Sequence, residues 1–276
     1  MRQSAEQVVR TETVDAVQAE ALANLLGTDI PEGSLPPLWH WTYLLERRPH
    51  VDLGPDGHPT FGIPAPPGPG RKRMFAGGTV TTYGELLFGE PATRTTWVTD
   101  TREKQGRTGP LTFVTVRNEY TQAGRILIVD ENDIVYRSVD STMPPATATE
   151  DEEPNSGRAP QLTLTADETL LFRFSALTYN AHRIHYDHNW VRGEGYADLV
   201  VHGPLQALMM GELIRRSGAG LVGRTFRYRL VSPMIGPQTF TVAADEAGID
   251  DGAAVYAQQG FVTASSRIIP IAREGA

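Results

Sequence analysis

The stretch from Phe172 to Gly211, FRFSALTYNAHRIHYDHNWVRGEGYADLVVHGPLQALMMG, decides how the rest of the chain is interpreted. Four of the seven histidines of the protein fall inside it: His182, His185, His188 and His202. Alternating apolar residues at its start predict a strand over residues 170–178, which ends just before these polar side chains. A protein core seldom holds so many titratable groups, so the stretch indicates a functional site.

The end of the same stretch predicts a buried helix over residues 204–216. Its apolar residues recur at spacings of three and four, which is the pattern of a helix face that packs in a core. Pro204 suits the first turn, because the N–H groups of that turn have no helical partners and proline has no N–H. The N–H groups near Gly203, beside His202, can therefore stabilise an oxyanion.

Residues 179–187, YNAHRIHYD, resemble the hydratase motif of the MaoC-like, hotdog-fold enoyl-thioester hydratases. The resemblance is closer to the double-hotdog branch, which includes mitochondrial type 2 3-hydroxyacyl-thioester dehydratase and the mesaconyl- and itaconyl-CoA hydratases. His202-Gly203 matches the glycine that opens the central helix of that family and donates an oxyanion N–H. The resemblance implies an α+β double hotdog, in which two antiparallel sheets each wrap a central helix.

The resemblance also implies a hydro-lyase that reversibly hydrates a 2-enoyl thioester to a 3-hydroxyacyl thioester. The usual aspartate of the family is Asn180 here, and an amide cannot accept a proton at neutral pH. His185 is therefore predicted to be the acid/base, Asn180 to orient water or substrate, and the Gly203 N–H to donate to the thioester oxygen. His182 and His202 are further candidates, each with a structural role as the alternative.

A basic, glycine-containing run over residues 71–78, RKRMFAGG, resembles a segment of the same branch. It predicts a site for the phosphates of a CoA or acyl-carrier arm, and a solvated basic turn is the alternative. Arg183 could pair with a substrate carboxylate, with a phosphate or with acidic surface groups. The predicted binding residues are Arg71, Arg73, Gly77, Gly78 and Arg183. No cofactor is expected, since the CoA or carrier thioester is the substrate.

Three other assignments stay open. The spacing His182-x-x-His185-x-x-His188, with Asp187, permits a metal site, although we predict no metal because zinc sites commonly recruit cysteine or a His-Glu-x-x-His pattern. A hotdog thioesterase would activate water with Asp187 or Glu194. A non-catalytic acyl-thioester-binding module would account for the loss of the family's aspartate.

The composition narrows the class of protein. The net charge is −8 and the basic residues are dispersed, which argues against a nucleic-acid-binding surface. No apolar run approaches the ~20 residues that span a bilayer, and the N-terminus lacks a secretory pattern. The sequence has no cysteine, which excludes disulfides and thiol nucleophiles. We therefore expect a cytoplasmic protein, either a monomer or a homodimer.

The chain divides into two predicted modules joined by a linker rich in proline, serine, threonine and acidic residues. The predicted boundaries are 1–140 for the first hotdog, 141–160 for the linker and 161–276 for the second hotdog, which carries the motif. Residues 225–237 repeat residues 79–91 in outline.

Within the first module, we predict a helix over residues 5–26 and a central helix over residues 35–47, the counterpart of the helix over 204–216. Residues 49–70 are rich in proline and glycine and are predicted to be a loop that covers or borders the substrate. Alternating residues over 79–137 predict antiparallel strands, with turns at 106–109 and 130–133.

Overall fold

A computed structural model describes residues 6–106, 109–138 and 159–271. The first half contains β1 (Val8–Thr13), α1 (Ala16–Leu26), β2 (Ser34–Leu35), β3 (Arg71–Thr82), β4 (Leu86–Leu87), β5 (Pro91–Gly106), β6 (Gly109–Gln122) and β7 (Arg125–Ser138). The second half contains β8 (Gln161–Ala166), α2 (Glu168–Leu177), α3 (His188–Gly193), α4 (Gly203–Arg216), β9 (Arg224–Leu230), β10 (Gln238–Asp245), β11 (Gly248–Tyr256) and β12 (Val262–Pro270).

Ten of these strands form one antiparallel sheet in the order β1-β5-β6-β7-β3-β9-β12-β11-β10-β8. Counted outward from the central pair, β3 corresponds to β9, β7 to β12, β6 to β11, β5 to β10 and β1 to β8. The two halves therefore repeat one strand topology, and the predicted α+β double hotdog is confirmed. Its two sheets are joined into one, and the central helix is formed by α4 in the second half but not by residues 35–47 in the first. The module boundaries stay a prediction, because most of the predicted linker lies outside the described residues.

The predicted helix over residues 204–216 is confirmed as α4, which packs against β10, β11 and β12 of the second half. All of its residues from Leu205 to Ile214 are buried, including Glu212. Arg215 and Arg216 bond the Glu212 carboxylate, and so does the indole N–H of Trp39 in the first half, at 2.8 Å. A buried carboxylate is tolerated here because cations and a hydrogen-bond donor compensate its charge.

The predicted central helix over residues 35–47 is wrong. The segment pairs β2 with β4 and then makes one 3₁₀ turn over Trp39–Thr42. Leu38 and Leu44 have φ angles of 73° and 51°, which a right-handed helix does not allow. Leu38 is fully buried, and its side chain lies where a Cβ on Gly211 of α4 would sit, at 2.3 Å. The segment wedges against α4, and its apolar spacing reflects that contact.

The predicted strand over residues 170–178 is also wrong, because this segment forms α2. Asp167 caps the helix by accepting the N–H of Leu170, and Leu171 and Phe174 face the core at helical spacing. Phe172, which the alternation placed with the core residues, is 64% exposed. In so short a run, apolar residues at every second position are compatible with the period of a strand and with that of a helix. The N-cap at Asp167 favours the helix here.

The remaining elements of the first half agree with the prediction in part. The helix over residues 5–26 is shorter, since β1 precedes α1, which begins after the cap at Asp15. Residues 49–70 form the predicted loop, with a 3₁₀ turn at His50–Asp52. The strands are confirmed, but β7 runs through the predicted turn at 130–133. Two residues of the turn at 106–109 lie outside the described chain.

The two halves meet where β3 pairs with β9, at a point that requires glycine. Gly77 has a φ of 141°, and a Cβ there would lie 2.4 Å from the carbonyl oxygen of Tyr228 in β9. On Gly78, a Cβ would lie 2.2 Å from the carbonyl oxygen of Glu131 in β7. Both neighbours are backbone atoms of paired strands, so a side chain at either position would separate them.

We expect Gly77→Ala to lower the unfolding free energy by about 2 kcal/mol or more, since it adds steric overlap to a strained φ. Urea unfolding measures the change. Gly193→Ala is the matched control, because a Cβ there meets nothing within 4 Å, and it should stay within about 0.5 kcal/mol of wild type. Equal stability of the two variants would show that the close approach of β3 and β9 does not need glycine.

Candidate active site

A cavity of about 360 Å³ lies at the N-terminus of α4 and is lined by both halves of the chain. The second half contributes Asn180, His182 and His185 of the predicted motif and Gly203 of the helix. The first half contributes Arg73 from β3 and His58 from the loop. The structure thus brings the predicted catalytic residues together at one cavity.

His185 is buried and held in one tautomer. Its Nδ1 lies 2.6 Å from the carbonyl oxygen of Val200, and because a carbonyl only accepts, Nδ1 carries the proton. Nε2 therefore keeps its lone pair. Burial lowers the pKa of His185 to about 4, although the Val200 hydrogen bond raises it; His58 lowers it further. At neutral pH His185 is an uncharged proton acceptor.

The ring of His202 packs against the ring of His185. The two rings stack with their centroids 3.6 Å apart and an angle of 17° between their planes. His202 Nε2 lies 2.8 Å from the hydroxyl of Ser175, and burial holds its pKa well below the usual value. The ring is fully buried and does not line the cavity, so we assign it to positioning His185.

Asn180 follows α2 and is fixed by backbone contacts. Its own N–H donates to the carbonyl of Ser175 at 2.8 Å, and its Oδ1 accepts the N–H of His182 at 3.0 Å. The amide NH₂ has no partner among the described residues and remains for water or substrate. The ring of His182 stands perpendicular to that of His185, 5.6 Å away, and burial lowers its pKa to about 2.

Gly203 is the first residue of α4 and lines the cavity. The N–H groups in the first turn of a helix have no intrahelical partner and carry partial positive charge. A Cβ at this position would lie 2.2 Å from a methyl carbon of Leu230, so the close packing of β9 favours glycine. The arrangement fits the predicted oxyanion donor.

Of the four predicted binding residues in the run over 71–78, Arg73 lines the cavity, whereas Arg71, Gly77 and Gly78 do not. Arg73 donates to the carbonyl of Pro64 at 3.1 Å, while its Nε is buried without a partner among the described residues. Arg71 instead bonds the hydroxyl of Thr112 and the carbonyl of Tyr136. Gly77 and Gly78 serve the strand pairing described above.

Arg183 also lies outside the cavity lining. Its guanidinium bonds the Asp187 carboxylate at 2.6 and 3.0 Å and the carbonyl of Pro55 at 3.1 Å, and it lies over the ring of Trp190. Asp187 also caps α3. These contacts make Arg183 the link between the motif and the loop of the first half. Its positive charge is balanced by Asp187, so the side chain does not need a ligand.

The sequence analysis did not single out His58 and Asp56, which lie in the loop. The Asp56 carboxylate accepts from Nδ1 of His58 at 2.9 Å, and the His58 ring lies 4.1 Å from that of His182. Burial raises the pKa of Asp56, but the hydrogen bonds from His58 outweigh it and lower the pKa to about 2. The sequence signal that could have identified this pair is an aspartate two residues before a histidine, in a loop that is longer than a simple connection requires.

The metal site that the spacing of His182, His185 and His188 permits does not assemble from these residues and Asp187. His188 lies 3.0 Å from the carboxylate of Asp198, and Asp187 is held by Arg183. A different group, Asp56, His58 and His182, has its potential ligand atoms within 4.8 Å of one another. Two imidazoles and a carboxylate would suit zinc or iron, but in this structure Asp56 and His58 bond each other.

The thioesterase alternative finds no support in the geometry. Glu194 forms an ion pair with Lys72 at 2.7 Å, and neither Glu194 nor Asp187 lines the cavity. A second cavity of about 430 Å³ adjoins the first and shares His58 and Asn180 with it. Its lining is mainly apolar and includes Phe172 and Tyr179, so it is suited to the uncharged part of a ligand.

The comparisons with known proteins agree with this geometry. Residues 38–236 match the family described as hydroxyacyl-thioester dehydratase type 2. Mesaconyl-C(4)-CoA hydratase from Chloroflexus aurantiacus is 44% identical over 228 residues, which span 79% of this chain and 81% of the relative. The mitochondrial hydroxyacyl-thioester dehydratase type 2 of Schizosaccharomyces pombe is 24% identical over 246 residues, 78% of this chain and 79% of the relative.

Solved structures confirm the fold. The structure of HtdX from Mycobacterium tuberculosis has a TM-score of 0.68 at 12% identity and covers 97% of this chain and 100% of that one. A MaoC-like dehydratase from Phytophthora capsici has a TM-score of 0.67 at 12% identity, with coverages of 99% and 97%. No helix in the described part of the chain is long and apolar enough to cross a membrane.

The buried neutral histidines predict how stability depends on pH. Burial lowers the pKa of His182, His185 and His202 below the ordinary 6.5, so the unfolded chain binds more protons as the pH falls below about 6.5. The unfolding free energy should therefore decrease between pH 7 and pH 5. Urea unfolding at both pH values measures this decrease, which should be smaller in His185→Gln. Equal stability at the two pH values would contradict the burial of neutral rings.

Proposed function

The chain belongs to the hydroxyacyl-thioester dehydratase type 2 family, and we propose that it reversibly hydrates a small 2-enoyl-CoA that carries a second, free carboxylate. His185 is the proton acceptor, Asn180 orients the water, and the N–H of Gly203 bonds the thioester oxygen. The observation that carries this proposal is the tautomer of His185, whose Nδ1–H is held by Val200 and whose lone pair remains at a cavity beside a helix N-terminus.

The chemistry follows from these groups. The oxygen of water bonds to C3 as Nε2 of His185 takes one of its protons, and negative charge moves toward the thioester oxygen. The N–H of Gly203 stabilises that charge without reorganisation, because α4 already holds it in place. C2 then receives a proton, and the carbonyl reforms. Dehydration runs through the same steps in reverse.

The second carboxylate of the substrate is proposed from Arg73. Its side chain lines the cavity with His182 and His185, and its Nε lacks a partner among the described residues. A guanidinium so placed attracts a carboxylate and forms charge-assisted hydrogen bonds with it. The 44% identical relative, named mesaconyl-C(4)-CoA hydratase, supports a dicarboxylic substrate. The adjoining apolar cavity would hold the pantetheine arm, and the CoA phosphates would remain outside.

The location and assembly of the protein belong to the proposal as well. We place the enzyme in the cytoplasm, where CoA thioesters are available to it. A homodimer is proposed beside a monomer, since hotdog modules pair and this chain already contains one such pair. Light scattering of the purified protein distinguishes the two states.

We expect His185→Gln to lower kcat for mesaconyl-CoA by ~10²–10⁴, because a positioned acid/base contributes that factor. KM should change little, since glutamine keeps a polar side chain of similar length. The loss of enoyl-thioester absorbance measures turnover. His188→Gln is the control, because this histidine is 44% exposed and pairs with Asp198 away from the cavity. Wild-type turnover in His185→Gln would remove His185 from the mechanism.

We expect Arg73→Met to raise KM for mesaconyl-CoA by ~10–10², which corresponds to the loss of a charged hydrogen bond worth ~1.5–3 kcal/mol. KM for crotonyl-CoA should stay within about threefold, because this substrate has no second carboxylate. Arg102→Met, which removes an exposed arginine paired with Asp100, is the control. An equal rise in KM for both substrates would assign Arg73 to the CoA part of the ligand instead.

A further inference from the structure

Hydration moves two protons, one from water and one to C2, and the proposed roles above account for the first. Asn180, which lines the cavity beside His185, is an amide and cannot supply the second proton at neutral pH. We propose that His58 is a second catalytic residue that gives the C2 proton, and that Asp56 is the residue that positions it. This inference rests on the proposed hydratase function and extends it to residues of the first half.

His58 occupies the right place for this role. It lines both cavities, and its ring lies 4.1 Å from that of His182, which in turn lies 5.6 Å from that of His185. An ionised carboxylate only accepts, so Nδ1 of His58 carries a proton and donates a hydrogen bond to Asp56, which leaves Nε2 for the ligand. Nε2 has no partner among the described residues. Asp56 and His182 contact His58 directly, and the other charged groups and histidines that line the same two cavities are His185, Arg73, Glu46, Arg48 and His50.

The loop that carries Asp56 and His58 packs against the motif over residues 179–187. The carbonyl of Asp56 accepts the N–H of Arg183 at 2.9 Å, and Pro55 accepts from the Arg183 side chain. A Cβ on Gly57 would lie 1.8 Å from the carbonyl oxygen of Ala181, so the two backbones touch. The Asp56 carboxylate also accepts the N–H of His58 at 2.9 Å. These contacts fix the imidazole beside the motif before any substrate binds.

The imidazoles of His185 and His58 lie in different environments, which suit a proton acceptor and a proton donor respectively. His185 is fully desolvated, faces no carboxylate and is neutral, so it accepts a proton. His58 is partly exposed, and its Nδ1 bonds the Asp56 carboxylate, so it differs from His185 in both solvation and neighbour. A solvated imidazole bonded to a carboxylate is placed to give a proton, and a desolvated imidazole without such a neighbour is placed to accept one.

The step balances as follows. The oxygen of water bonds to C3, His185 takes one proton of that water, and the electron pair of the C2=C3 bond moves toward the thioester carbonyl. The resulting enolate takes the proton from Nε2 of protonated His58 at C2, and the carbonyl reforms. Solvent then removes the proton from His185 and returns one to His58. One water is added, and no proton is gained or lost overall.

The test compares two histidine–carboxylate pairs in the full-length protein. His58→Gln and Asp56→Asn should each lower kcat for mesaconyl-CoA by ~10²–10³, with KM within about threefold of wild type. His188→Gln and Asp198→Asn are the matched controls, since that pair has a similar separation of 3.0 Å but is exposed and lines neither cavity. Both controls should retain wild-type turnover.

Two readouts separate proton donation from a structural effect. The fall of kcat at alkaline pH, where a donor loses its proton, should disappear in His58→Gln. Added imidazole should restore turnover to His58→Ala, which it would not do for a misfolded loop. Turnover of the wild type should also survive EDTA; its loss would overturn the proposal in favour of a metal at Asp56, His58 and His182.

The outcomes also distinguish this inference from the function on which it rests. Wild-type hydration with unchanged kcat in His58→Gln and Asp56→Asn would overturn the inference and leave the proposed function standing. A low kcat that imidazole does not restore, with the alkaline fall still present, would also overturn it. A wild-type chain that hydrates neither mesaconyl- nor crotonyl-CoA would overturn both.

Discussion

The pairing of β3 with β9 is the constraint on which the rest of the structure depends. It joins two five-stranded halves into one sheet, and it works only because Gly77 and Gly78 let three backbones approach closely. β3 also carries Arg73 to the N-terminus of α4, in the other half. The active cavity therefore exists only at the junction, and each half alone would hold an incomplete set of groups.

Desolvation is the second physical theme. His185 and His202 stack inside the second half, and the tautomer of His185 is fixed by a carbonyl at Val200. The N–H of Val201, which shares a peptide unit with that carbonyl, donates to the carbonyl of Met234 at 3.0 Å, so the acceptor is held in place. Burial disfavours the charged form of both rings. His185 is therefore a neutral proton acceptor beside the N-terminus of α4. The same burial makes catalysis and stability depend on one set of residues.

The two wrong predictions of secondary structure have the same cause. A short pattern of apolar residues indicates which side chains are buried, but it does not determine the conformation of the backbone. Residues 170–178 alternate like a strand, but Asp167 caps them as α2. Residues 35–47 have helical spacing, but Leu38 adopts a left-handed φ to pack on Gly211. In α4, by contrast, the pattern continues over 14 residues, and so long a period excludes the strand.

The sequence by itself determined the family, the double hotdog, the helix that begins at Gly203 and the polar motif before it, because these signals are local and dense along the chain. Only the tertiary structure decided which charged groups share the cavity. It placed Arg73 inside and turned Arg71 and Arg183 to other partners, and it brought Asp56 and His58 to His182. The approach of Arg73, Asp56 and His58 to His182 spans more than a hundred residues, and nothing local specifies it; it arises from strand pairing between the halves.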